Sequence, residues 1–162
     1  MGQSKTNALL VALLDQAYNT ASWHGTSFRG TLRGLKLPQL LWRPSADSHN
    51  IWEITLHVAY WKYIVWRKLT DAPKGGFPRR PSDWPRYHAS PTVTHWKDDL
   101  MLADAMHRQL RDAVRRFPDS RLDKKPAGSK WSYAQLISGV AAHDLYHTGQ
   151  VQLLKRLLRE SR

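Results

Sequence analysis

The sequence predicts an all-α protein, and three observations carry that expectation. Four long stretches repeat apolar residues at three- and four-residue steps, the period of one helical face. Two of them open on capping-box spacings, Asn50 with Glu53 and Ser132 with Gln135. Between the second and third lies a tract too rich in proline and glycine to hold a helix or a central strand. At 162 residues the chain reads as one domain, 1–162, long enough to bury a core.

Taken in order, residues 4–22 form the first helix, with Leu10, Leu13, Leu14, Ala17, Tyr18 and Ala21 as its apolar stripe. Asp15 adjoins the stripe and faces water or an arginine. Trp23-His24-Gly25 breaks the helix, with Gly25 as the stop. Residues 26–35 add a short helix ended by Gly34 or Leu37-Pro38, and 36–49 make a mixed connection in which Trp42 plugs the bundle end. The second long helix starts at Asn50 and runs to about Leu69. Its stripe of Ile51, Ile54, His57, Val58, Trp61, Ile64 and Val65 puts a histidine among core residues.

Residues 70–93 hold five prolines and two glycines. A connection that long is a functional cover or an ordered spacer; as a cover it brings Phe77, Trp84 and Tyr87 to a pocket. His88 and His95 lie near it and read as exposed. The third long helix runs from about Thr94 to Phe117, with Leu100, Ala103, Met106, Leu110, Val114 and Phe117 inward and His107 beside them. Pro118 ends it, and 118–130 is a polar link. The last helix spans 131–158, with Leu136, Val140, His143, His147 and Leu154 on one face and a hydrophobic staple between Trp131 and Leu136.

His143 and His147 are four residues apart, so their Cβ atoms lie about 5–6 Å apart on one face. Two imidazoles held that way can share a metal ion, and His57 offers a third ring from another inward face. The alternative is three core histidines satisfied by protein partners. Burying their donors and acceptors unpaired costs on the order of 1–3 kcal/mol each, whereas one cation takes three acceptor nitrogens at once. His107 is the rival third ligand.

No cysteine is present, which excludes disulfides, thiolate ligands and a cysteine nucleophile and fits a reducing cytoplasm. No run of about 18 apolar residues appears, so no transmembrane helix is expected. The formal charge of +12 invites a nucleic-acid reading. The basic residues are spread along the chain, however, without a basic aromatic-bearing helix, zinc finger or RNP-like motif. A solvated surface that draws an anionic small substrate inward is the preferred account. No Ser-His-Asp set, P-loop or GxGxxG string is found.

The run His143-Asp144-Leu145-Tyr146-His147-Thr148-Gly149-Gln150 resembles the HDxYHxGQ signature of the DinB-like superfamily, which includes YfiT-type and bacillithiol S-transferase proteins. Trp23-His24-Gly25-Thr26-Ser27 is similar to the WHGxS stretch after the first helix of some members. Asn50 to Trp61, with His57 central, is similar to the family's second-helix ligand segment. The resemblance implies an antiparallel four-helix bundle and a divalent metal on His57, His143 and His147. It also implies thiol transfer or hydrolysis, with a low-molecular-weight thiol as cosubstrate in the transferases, and homodimers are common in the family. MGQSKT fits the loose myristoylation pattern, but that reading needs a eukaryotic host and the resemblance suggests a bacterial protein, so it is taken as chance.

Three imidazoles leave a cation its full charge and an open position, the layout of a catalytic site. Zinc or nickel suits such ligands best, with iron and copper also compatible. Around the metal, Asp144 is expected to accept a ring N–H from one of the histidines, and Gln150 to meet a substrate oxygen or a water. Tyr146 is expected to pack elsewhere on the helix. His24 is placed at the bundle mouth if its loop folds over, or on the surface if it does not. Three functions remain in play: a metal-dependent thiol S-transferase or hydrolase acting on a small electrophile, a non-catalytic metal-binding stress-response bundle, and a basic interaction module.

Overall fold

In the computed structural model, which describes residues 4–161, six helices carry the chain: α1 (Lys5–Tyr18), α2 (Phe28–Thr31), α3 (Leu37–Leu41), α4 (Ile51–Thr70), α5 (Val93–Arg116) and α6 (Tyr133–Glu160). A single 3-10 turn, Asp119–Arg121, separates the last two. The long ones, α1, α4, α5 and α6, pack as a four-helix bundle in which α4 meets α5 and α6, and α1 meets the same two. No helix among the described residues is long and apolar enough to cross a membrane. Gly2, on which the myristoylation motif depends, lies outside the described residues.

The caps read from the sequence are present. Asn50 and Glu53 close a reciprocal capping box at the start of α4, and Ser132 and Gln135 do the same for α6. Trp131, expected to staple that start, instead stands 58% exposed. Helix α1 is shorter than its periodicity suggests, stopping at Tyr18, with Asn19 as its C-cap. Its buried face is Asn7, Val11, Leu14, Ala17 and Tyr18; Leu13 is exposed, and Leu10 packs half-buried against the core beside Val11. Pro38, read as a terminator, sits in the first turn of α3, where its missing N–H has no helical partner to lose.

Helix direction is not uniformly alternating. Asn7, near the start of α1, donates from Nδ2 to the Phe117 carbonyl at the end of α5 at 2.6 Å, so those two run antiparallel. Trp52, at the start of α4, reaches Asp99 and Trp96 near the start of α5, while Val65 and Leu69 share a core cluster with Leu110 and Val114. Helices α4 and α5 are therefore parallel, a departure from the antiparallel expectation for that pair. The length of residues 71–92 follows from this. The chain must travel back along a helix of about 30 Å before α5 can begin.

Beside a smaller cluster around Tyr63 and Phe77, the core has two large apolar clusters with a polar layer between them. One holds Leu14, Val65, Leu110, Val114 and Ile137; the other holds Tyr18, Phe28, Trp52, Trp96 and Val151. Lys62 on α4, His107 on α5 and Asp144 on α6 fall between them along their helices and are all buried. Lys62 and Asp144 form an ion pair with 0% exposure on both sides, and the Lys62 ammonium lies 4.6 Å from the centre of the Tyr18 ring. His107 stacks on Tyr18 at 4.3 Å and bonds Asp15, which also takes the Arg111 guanidinium, the partner expected for that aspartate.

Candidate metal centre

Helices α4 and α6 run antiparallel, which brings the middle of one against the middle of the other. On α4 the positions that face inward include Ile54, His57 and Val58; on α6 they include Val140, Asp144, His147 and Val151. The four-residue step from His143 to His147 sets their rings edge-on at 4.3 Å between centroids, and the His57 ring meets them at 5.0 and 4.8 Å. His57 Nε2 lies 3.1 Å from His143 Nε2, which lies 3.0 Å from His147 Nε2. These three residues are a group able to hold one metal ion.

The outer ring nitrogens decide what the inner ones carry. His57 Nδ1 lies 2.6 Å from the Asp83 carbonyl, an acceptor only, so it donates and leaves Nε2 a bare lone pair. His147 Nδ1 donates in the same way to Gln150 Oε1 at 2.6 Å. Among the described residues, His143 Nδ1 is buried without a hydrogen-bond partner. Two lone pairs thus face a third nitrogen, and a proton on His143 Nε2 can serve only one of them. A divalent cation fits this set: with nitrogen ligands at about 2.0–2.1 Å and tetrahedral angles, neighbouring nitrogens stand about 3.3 Å apart.

Burial, reinforced by the neighbouring His147 and His57, pushes His143 down to about 3, and burial pushes His147 down to about 4. Burial lowers His57 as well. All three rings are neutral near pH 7, the state in which imidazole ligates.

The cover comes from residues 71–92, but through one aromatic of the three expected. Trp84 lies flat on His57, with centroids 3.9 Å apart and planes within 11°. Phe77 is buried with Ala59, Tyr63, Ala103 and Met106, and Tyr87 stacks on Trp52, so neither lines this cavity. Asp83 precedes Trp84 in the left-handed region at φ 68°, a conformation that aspartate tolerates better than most residues. That turn presents its carbonyl to His57 while its carboxylate accepts from Trp61 Nε1 at 2.8 Å. The cavity, about 430 Å³, is walled by the three histidines, Trp61, Asp83, Trp84, Tyr146 and Gln150.

Several expectations are corrected here. Asp144 does not orient a histidine; its carboxylate is buried and committed to Lys62. Gln150, expected to meet a substrate oxygen or a water, lines the cavity and in addition takes the orienting role, its Oε1 accepting from His147 Nδ1. Tyr146 lines the mouth, 65% exposed and edge-on to His147. His24 sits exposed in a turn closed by a bridge between Ser22 and Gly25, and lines neither this cavity nor the histidine group. His107 pairs with Asp15 and is not part of that group. His88 is exposed as expected, but His95 is half-buried and stacks on it at 4.0 Å.

Lys62 and Asp83 escaped the sequence reading, which gives Tyr146 a packing role rather than a place at the site. Lys62 left a signal: it and Asp144 are opposite charges at inward positions of two otherwise apolar stripes. Asp83 left none, because its role is played by a backbone carbonyl.

Neither curated proteins nor solved structures give a significant match to the chain. A family model does, the DinB superfamily, over residues 20–151. That span starts just after α1, takes in α4 and α5, and ends at Val151, past both α6 histidines and Gln150. With most of its length matched and its histidines gathered between two bundle helices, the chain belongs to the DinB superfamily.

Proposed function

We propose that this protein is a metal-dependent enzyme, a thiol S-transferase or hydrolase acting on a small electrophilic substrate, with one divalent cation on His57, His143 and His147. The observation that carries the reading is the convergence of three Nε2 atoms, two of them stripped of protons by their Nδ1 partners. Zinc or nickel suits neutral imidazoles, and iron and copper are compatible. When bound, such a cation supplies Lewis acidity, enough to bring the pKa of a water to about 7 or to deprotonate a thiol.

The chain's own residues prepare that chemistry. Gln150 and the Asp83 carbonyl hold two rings in one tautomer and orientation. Trp84 seals one face of His57, while Trp61 and Tyr146 leave an opening through which a small molecule can approach. The chain's net charge of +12 favours arrival of an anionic substrate or thiolate.

Metal analysis of protein purified without an affinity tag tests the first half of the reading. About one equivalent is expected for the parent and a large loss for His57→Ala and His147→Ala; equal content in all three refutes it. A conjugation assay over several low-molecular-weight thiols and an electrophile panel, with and without chelator, tests the second half. Metal binding without chelator-sensitive turnover would favour a non-catalytic metal-binding bundle.

A further inference from the structure

A second, larger concavity opens beside the histidine cavity and shares Trp61 and His143 with it. It measures about 670 Å³, within the range of small-molecule sites. Its floor is apolar, built from Ile64 and Val65 on α4 and from Leu136 and Val140 on α6. We infer that this groove binds the body of the substrate, and that the substrate is an amphipathic anion: an apolar chain or ring that ends in a carboxylate remote from the reacting atom.

Direction comes from the two helices. From Trp61 to Lys68 is two turns of α4, about 10 Å along the axis. The antiparallel α6 runs back in the same sense, from His143 through Val140 to Leu136, and Lys130 lies beyond its start. Both lysines line the groove at the end away from His143, and neither has a hydrogen-bond or ion-pair partner among the described residues. An uncommitted pair of ammonium groups at the far end of an apolar trough complements a carboxylate there.

Two further features fit an occupant. Gly139 lies on the groove wall in the interior of α6, where glycine costs helix stability, and a Cβ built on it meets nothing within 4 Å. The missing side chain leaves the trough open. Trp131 is fixed at the rim by a turn in which Ser129 Oγ accepts from its N–H at 3.1 Å and donates to its carbonyl at 3.0 Å, yet the residue stays 58% exposed.

The inference rests on the proposed function for where reaction occurs, though binding itself does not require the metal. Octanoate and 1-octanol, titrated against full-length protein and followed by the indole N–H signals of Trp61 and Trp131 in NMR, test it. Octanoate is expected to bind at least tenfold more tightly than octanol, and the Lys68→Gln/Lys130→Gln variant to erase that difference. Gly139→Leu is expected to weaken both ligands at least tenfold without lowering the urea midpoint, since leucine is the better helix former. Equal affinities for acid and alcohol, or unchanged binding in Gly139→Leu, overturn the proposal. So does self-association that octanoate competes away, which would make the groove a surface for a second copy. His147→Ala is expected to keep octanoate binding, and Gly139→Leu to keep its metal content, so each reading can fail alone. Octanoate binding lost in His147→Ala but kept in the lysine variant would put the carboxylate at the histidines and overturn the assigned direction.

Discussion

Lys62 and Asp144 meet between α4 and α6 as an ion pair shut off from solvent on both sides, one residue along the helix from His143. Burial pushes the lysine down and the aspartate up, and their mutual attraction opposes both shifts. Among the described residues Asp144 Oδ1 has no hydrogen-bond partner, so the pair carries a desolvation cost that its one hydrogen bond and the Tyr18 ring face only partly offset.

Removing one partner is therefore expected to be worse than removing both. Lys62→Met should destabilise the fold by about 3–5 kcal/mol, because it leaves a buried carboxylate alone. The double variant Lys62→Met/Asp144→Leu should recover most of that loss. Urea unfolding of the two variants beside the parent measures the difference; a double variant as unstable as the single one would refute this account of the pair.

Gln150 holds His147 in the tautomer that bares Nε2. Gln150→Ala should weaken metal binding by about 10–100-fold, and Gln150→Glu, which keeps an acceptor, should retain it. Competition with a chromogenic chelator reads both, and circular dichroism checks that the helices persist.

Trp84 is the anchor by which residues 71–92 reach the site. Trp84→Ala should loosen that segment, exposing Arg79 and Arg86 to trypsin at rates well above the parent's, while Trp84→Phe should protect them. Unchanged digestion in Trp84→Ala would mean that Phe77 and Tyr87, packed elsewhere, hold the segment without it.

The histidines give the metal-free protein a directional pH response. His107 and His147 titrate near 4 and His143 near 3 when folded, all below the unfolded value of about 6.5. Between those limits the unfolded chain binds more protons than the native one, so stability is complete above about pH 6.5 and falls as pH drops toward 4. In the presence of chelator, the urea midpoint should decline across that window, with proton uptake on unfolding. A midpoint flat from pH 7 to 4.5 would contradict the burial of these rings.

His24→Ala should change neither metal content nor turnover, because the residue stands in an exposed turn outside the cavity. Loss of activity in that variant, with the fold intact, would require the turn to close over the mouth during catalysis.

Helices and their caps were legible because both are local: Asn50 with Glu53 and Ser132 with Gln135 act within a few residues, and apolar periodicity reports which face turns inward. His143 and His147 were legible for the same reason, four residues apart on one helix. His57 was readable as an inward residue, and only the packing of α4 against α6 brings its Nε2 to 3.1 Å from that of His143. The assignment given to Asp144 failed because adjacency in sequence is not adjacency on a helix; one residue on, the side chain has turned about 100° toward Lys62.

By itself, then, the sequence determined an all-helical chain, its capped ends, its inward histidines and a segment that cannot be helical. The tertiary structure alone decided that α4 and α5 run parallel, that the 71–92 segment must therefore return along the bundle, and that its Asp83 carbonyl and Trp84 ring finish the site. The reason is physical. Periodicity and capping are written in interactions a few residues apart, whereas helix direction, tautomer choice and ring stacking arise from contacts between residues that meet only after the chain has packed.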